Sequence, residues 1–444
     1  MSDDTPIYLL VEESFRELEA RVSIGAHCVS KGRRVVIGQQ WWFFENAHRL
    51  PHGIMLFKGN NCVQAKAMAA TKAFGHKVAS IEEEAFGLVN QDIERLFSDN
   101  IVGICDLFLA QGEVQRDYLI HQRGASPGQV AVTGNPRIDL LQAPFRARSG
   151  TRVEKLRKEH GAFVLINTNF AQINPHDYDC LNYYDRCLAA GTYKSDEPDD
   201  LAKFHYMMRW ERTNFEAVVA FIRDLKIALS ELKVIIRPHP SECVGRWQAA
   251  YDLDPNVHVV QDSDYISWVR AATVVVHTSC TTGLEAFFLD AKAISLTPGN
   301  AELNTSFLSN IANPVCKEPT AAVQIISNLL IHDDQSPWSP DKFSSTLRPH
   351  IQFSVDRSAA ARVADAIEKI RWKKPAAPSR DFTPRLTDPS AARSERRAMK
   401  MSITPANFQD LWREITGLLK IDTAVDIQAI GPSVSLITPL DVRR

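Results

Sequence analysis

Thr278, Ser279, Cys280, Thr281, Thr282 and Gly283 follow an apolar run, TVVVHTS (273–279), and open the helical-looking stretch GLEAFFLDA. Hydroxyls and unpaired backbone N–H groups at a helix N-terminus form a ready anion site, with phosphate the usual guest. Simple N-capping needs only one hydroxyl, whereas four stand here among five consecutive positions. A second chemical loop, Arg237-Pro238-His239-Pro240-Ser241-Glu242, follows the run KVIIRP (233–238). Two prolines stiffen the backbone around His239 and aim its imidazole. The ring could donate to a phosphate or contact a base or ribose, while Ser241 or Glu242 could serve as caps. The third constellation is Glu82, Glu83 and Glu84, after KVASIE (77–82). Adjacent carboxylates repel one another, which raises the affinity of at least one for a proton and suits it to general-base work. Acids at a helix start would look the same, because the helix dipole favours them there.

The elements that must position these groups are short β-rich runs alternating with amphipathic stretches. In the first 140 residues the runs are IYLLVE (7–12), RVVIGQ (34–39), GIMLFK (53–58), KVASIE, CDLFLA (105–110) and QVAVTG (129–134). The pattern then restarts with FVLINTN (163–169), KVIIRP, VHVVQD (257–262), TVVVHTS and AISLTP (293–298). Strands apolar on both faces and separated by helices predict parallel sheets covered on two sides. The expected fold is α/β: two Rossmann-like doubly wound domains facing a central cleft, with a C-terminal helical and basic tail. The expected boundaries are 1–145, 146–340, a helix in 341–372 that packs back on the first domain, and 373–444 as a basic linker with a short amphipathic helix. In such sheets ligands bind beyond the carboxyl ends of the strands. Glu12, Ser14, Lys58, Asn135, Asn167, Asn169 and Glu242 therefore join the candidates.

Composition narrows the class. The chain has 444 residues, 45% hydrophobic and 23% charged, which excludes a mainly disordered, collagenous or coiled-coil protein. No run approaches the ~18 apolar residues of a membrane span. The acidic start MSDDTPIYLLVEES has the wrong polarity for a secretory signal. Eight scattered cysteines contain no C-x-x-C pair, so a reducing cytoplasm is expected. The net charge of −2 hides a surplus of +6 in residues 371–400, nine basic against three acidic. The rest carries 42 basic and 50 acidic groups, a net of −8. That is unlike a nucleic-acid protein, whose folded body is more often basic. The basic tail is either a solvated linker or a weak grip on the anionic face of an inner membrane. No Walker loop, H-E-x-x-H, EF-hand loop, His/Cys constellation or G-x-S-x-G is present, so neither a metal nor a Ser/His/Asp hydrolase is expected. Asp177 and Asp179 form a D-x-D in the polar insertion 174–213, but no strand precedes them.

The segments VEESFRELE (11–19), SIEEEA (80–85), VTGNPRID (132–139), INTNF (166–170), IIRPHPSE (235–242) and HTSCTTGLEA (277–286) together resemble the bacterial surface carbohydrate biosynthesis proteins. These are similar to GT-B-fold glycosyltransferases. The His-Pro and hydroxyl-rich pair is also similar to bacterial sialyltransferases and Kdo transferases. The resemblance implies that His239 and Pro240 lie against the nucleotide of a CMP-sugar and Ser279, Thr281 and Thr282 against its phosphate. It also implies that the glutamate cluster supplies the base, Glu83 first. The family's glycine directly after the acidic motif is displaced here to Gly87. The activity so implied is transfer of a sugar, best a CMP-linked acidic sugar such as Kdo, from a nucleotide donor to a glycan or lipid-linked glycan acceptor, with no cofactor or metal. Alternatives are a UDP-sugar 2-epimerase, a CDP-glycerol glycerophosphotransferase, or a non-catalytic nucleotide-sugar-binding subunit of an assembly complex.

Overall fold

The computed structural model describes residues 5–83, 86–89, 96–176, 197–299, 301–338, 340–354, 356–371, 400–401 and 403–440, with Asp185, Leu188 and Phe382 individually. Glu84, Asp177, Asp179, much of the stretch 177–196 within the 174–213 insertion and nearly all of the basic 371–400 segment lie outside these residues. The chain divides into two compact units, one of residues 1–86, 90–145 and 348–444, the other of 87–89 and 146–347.

The first unit is built on an eight-stranded sheet. Its strands β1 (Ile7–Val11), β2 (Val35–Gln39), β3 (Ile54–Phe57), β4 (Lys77–Ile81), β5 (Leu107–Ala110) and β6 (Val130–Val132) run parallel, in the order β2-β1-β3-β4-β5-β6. All five residues of β1 are buried, as strands covered on both faces require. The helix Ser14–Val29 turns Leu18, Val22 and Val29 into the core with Ile7, Leu9 and Ile37 of β1 and β2. Its neighbour is Ala359–Glu368, near the end of the chain, which contributes Val363 and Ile367 to the same core.

The second unit carries six parallel strands: β7 (Phe163–Asn167), β8 (Lys233–Arg237), β9 (Val257–Val259), β10 (Val274–His277), β11 (Ala293–Leu296) and β12 (Val315–Cys316). Their order is β12-β11-β10-β7-β8-β9, so the sheet reverses its winding at β7 and β10. The long helix Pro198–Ala228 and the helix Pro319–His332 close the core through Phe221, Leu225, Val323 and Ile326. The 174–213 insertion thus ends as the first turns of that long helix rather than as a loop.

The tail departs from the sequence reading. Pro405–Leu419 is helical as expected, but residues 425–439 form a hairpin of β13 (Val425–Gly431) and β14 (Val434–Pro439) instead of linker. β14 pairs antiparallel with β2 and extends the first sheet. The helix packs Phe408, Trp412 and Ile415 against the Ser14–Val29 helix. Each such buried side chain stabilises by roughly 1.5–3 kcal/mol, ample to hold the end of the chain in the first unit.

Candidate functional site

In the first unit the winding reverses between β1 and β3, and the residues directly after those strands are Glu12 and Lys58. Their side chains pair at 2.6 Å. Lys58 also lies 3.6 Å from Glu17, and Lys400 reaches the other oxygen of Glu12 at 2.6 Å. Burial raises the proton affinity of Glu12, but hydrogen bonds and charge from Lys400 and Lys58 outweigh it and hold the carboxyl at about 2. Glu17 goes the other way: burial raises it despite Lys58 and Arg21. These groups, with Glu13, Arg16, Glu83 and Arg137, line a cavity of about 300 Å³. The Ser14 hydroxyl donates to the Lys400 carbonyl and fixes the segment that delivers the lysine. A larger groove of about 530 Å³ between Glu113, Arg116, His121 and Pro127 holds none of the candidates.

The glutamate cluster separates by role. Glu82 is 2% exposed and accepts from Asn60 Nδ2 at 2.7 Å, so it braces the β3 and β4 loops. Glu83 faces the cavity with Arg21 at 3.5 Å, Arg137 at 4.0 Å and Asn135 Nδ2 at 3.4 Å. The Glu83 carbonyl accepts from Phe86 N at 3.4 Å, and Phe86 and Gly87 lie in a turn. Arg137 lies over the Phe86 ring, 4.4 Å from its centre.

Asn135 is fully buried and caps its own short turn, accepting from Arg137 N. The VTGNPRID segment is otherwise a structural joint. A Cβ on Gly134, whose φ is +76°, would lie 2.1 Å from the Gln352 carbonyl oxygen, so only glycine fits. Asp139 accepts from Ala359 N and Ala360 N, anchoring the Ala359–Glu368 helix.

In the second unit the hydroxyl-rich loop lies where the sheet reverses. The helix Thr281–Phe288 has Cys280 as N-cap, and the Cys280 side chain makes no cap hydrogen bond. Thr281 is exposed and Thr282 half-buried, whereas Thr278 and Ser279 are each only 1% exposed. Thr278 donates to Asn169 Oδ1 at 2.9 Å. Ser279 adopts φ +53° and accepts from Asn310 Nδ2 at 2.9 Å. Its hydroxyl therefore helps shape the turn. Gly283 is needed because a Cβ there would lie 2.0 Å from His277 Nε2. That imidazole is fully buried beside the Ser295 hydroxyl, and burial lowers it to about 3.

The Arg-Pro-His-Pro loop is held from within. Glu242 is completely buried and accepts from Thr168 Oγ1, His239 N and Trp247 Nε1 at 2.6–3.0 Å. It is a loop anchor, neither a cap nor a surface ligand group. The helix Val244–Tyr251 instead has Cys243 as its N-cap. Arg237 donates twice to the Asp262 carbonyl, so its guanidinium braces the loop after β9. His239 Nδ1 accepts from Ser241 N at 3.1 Å, which puts the proton of the neutral ring on Nε2. Pro240 and Ser241 are exposed.

Sequence reasoning did not single out Arg21, Arg137, Lys400 or Asn310. Arg137 stood inside the VTGNPRID segment, and Arg21 sat among the apolar positions of its helix, a signal that it is buried. Nothing local marked Lys400, because its partner Glu12 is 388 residues away.

Among the described residues no group of three or more His, Cys, Asp or Glu is placed to hold a metal ion, and no helix is long and apolar enough to cross a membrane. No family model matches the chain, and no curated protein matches it. Solved structures do. MnaA of S. aureus, solved with UDP, is 12% identical with a TM-score of 0.53, covering 82% of this chain and 96% of that one. The UDP-GlcNAc 2-epimerase of Neisseria meningitidis, solved with UDP-GlcNAc, gives 12% identity and 0.52, over 83% and 100%. The UDP-GlcNAc 2-epimerase of Methanocaldococcus jannaschii gives 12% and 0.50, over 82% and 99%. Two parallel-sheet units with these windings are a GT-B-like α/β fold, the fold of those solved structures.

Proposed function

We propose that the chain is a nucleotide-sugar enzyme of surface glycan assembly, and that it transfers a sugar from the nucleotide to a glycan acceptor. The observation carrying the reading is the second sheet's reversal point, where a helix start follows a loop of hydroxyls and amides. Uncharged donors around a helix N-terminus suit a phosphate that gains charge as a glycosyl bond breaks. Thr281, Thr282 and the amides beside them would hold that phosphate, with His239 Nε2–H on the nucleotide side. The acceptor would occupy the charged cavity of the first unit, where Glu83 would take the proton of its attacking hydroxyl. The resemblance to Kdo transferases and sialyltransferases favours a CMP-linked acidic sugar, and no metal enters this scheme.

The second reading is epimerisation of a UDP-sugar, favoured by fold neighbours solved with UDP and UDP-GlcNAc. The two separate cleanly. The chain is first screened against CMP, CDP, UDP and GDP by thermal shift, since a ligand that binds only the native state raises its melting temperature. A raised Tm with CMP or UDP and nucleotide release only when acceptor glycan is added support transfer, with activity surviving EDTA. Conversion of UDP-GlcNAc with no acceptor present would establish the epimerase reading instead. No shift with any nucleotide would end both.

A further inference from the structure

β7 is the strand on which the second sheet turns: β8 lies on one side and β10 on the other. Its last residue, Asn167, is in register with Arg237 of β8 and with His277 of β10. In-register residues of parallel strands project to the same face of a sheet. The His277 ring lies under the first turn of the Thr281–Phe288 helix, close enough to leave Gly283 no room for a Cβ. Asn167 therefore occupies the face on which that helix begins.

The residue is 4% exposed, and neither Nδ2 nor Oδ1 of its side chain has a hydrogen-bond partner. Of the polar groups around it, His277 Nδ1 also lacks a partner, while the others are committed. Arg237 is bound to the Asp262 carbonyl, Thr168 to Glu242, Asn169 to Thr278, and Ser279 to Asn310. A buried amide with both ends unpaired works against folding, and native structures retain one where another group completes it.

We infer that Asn167 is a ligand-binding residue of the nucleotide-sugar site, a deepening of the reading above that rests on it. Its Nδ2–H donates to a phosphate oxygen of a nucleoside phosphate, beside the first-turn N–H groups of Thr281 and Thr282. Its Oδ1 accepts from a hydroxyl of the same ligand. The phosphate site is thus amide-based and neutral, with Arg237 acting as a brace rather than as the counter-ion.

The test is calorimetric titration of UDP and of CMP into the full chain and into Asn167→Leu and Asn167→Asp. Leucine keeps the size and removes both polar ends. Aspartate keeps an acceptor and sets a negative charge against the phosphate. The expected result is at least tenfold weaker binding for leucine and weaker still for aspartate. The ligand-free melting temperature of the leucine variant should equal or exceed that of the parent, because no bond of the folded state is lost. Affinities within twofold of the parent in both variants would overturn the assignment and leave the nucleotide-sugar reading standing. A lower ligand-free melting temperature with unchanged affinity would make the amide structural and overturn it equally. A parent chain that binds neither nucleotide would sink both.

Discussion

At the scale of single residues, Glu83 and His277 show what a buried group is for. Glu83 faces Arg21, Arg137 and the Asn135 amide, which fix its orientation. Glu83→Gln keeps the size and the Asn135 contact but cannot accept a proton. If it is the base, transfer slows by about 10²–10⁴-fold while nucleotide affinity stays within twofold. A single-turnover assay beside a binding titration separates the two, and a variant that transfers at the parent rate rules Glu83 out. His277 bears on stability. Its folded value of about 3 lies below the ordinary 6.5 because the ring is buried. Between those values the unfolded chain binds a proton that the native one does not, so stability is present above pH 6.5 and is lost as pH falls toward 3. One proton is worth about 1.4 kcal/mol per pH unit. On going from pH 7.5 to pH 5, the parent should thus lose about 2 kcal/mol more than His277→Gln in urea unfolding. Equal losses would mean that the imidazole charges in the folded state.

At the scale of elements, legibility followed burial. IYLLV, FVLIN and VVVH are buried at every position and, up to the Asn167 and His277 that end the last two, carry apolar or aromatic side chains, so their sequences announce central parallel strands. The rule that ligands lie beyond such strands then placed Glu12, Lys58, Asn167 and Thr278 correctly at carboxyl ends. β13 was invisible for the opposite reason: VDIQAIG is an edge strand with only one of its seven residues buried, and it follows a basic Pro/Ala stretch that reads as linker. β12 has only two residues, too few to carry a period. Ion pairs such as Glu12 with Lys400 depend on tertiary closure and leave no local trace. The amphipathic helix Pro405–Leu419 was legible but its partner was not. That partner is now testable, because Trp412 is 3% exposed against the core of the first unit. Trp412→Ala should cost about 3–5 kcal/mol, read as a shifted chemical-unfolding midpoint. A shift no larger than that of an exposed substitution such as Arg413→Ala would show that the helix does not dock.

At the scale of the molecule, the two units are assembled differently. The second draws nearly all its residues from one stretch, 146–347, whereas the first closes only when 348–444 returns to it. The returning segment supplies the Ala359–Glu368 helix, Lys400 for Glu12, the Pro405–Leu419 helix and the hairpin that covers β2. A chain ending at Arg371 keeps the first of these and loses the rest. Its β2 becomes an unpaired edge, with the buried contacts of Phe408, Trp412 and Ile415 gone from the Ser14–Val29 helix. Exposed edges of this kind recruit other chains, so the shortened protein should associate in a concentration-dependent way. The effect should be confined to one unit, because among the described residues the second core of Val164, Ile236, Val276 and Ile294 contains nothing from beyond residue 347. Amide exchange reads both halves at once. Backbone amides of β1 and β2 should lose protection while those of β7, β8 and β10 keep it. Undiminished protection in β2, or equal loss in both sheets, would contradict the division of labour that these contacts describe.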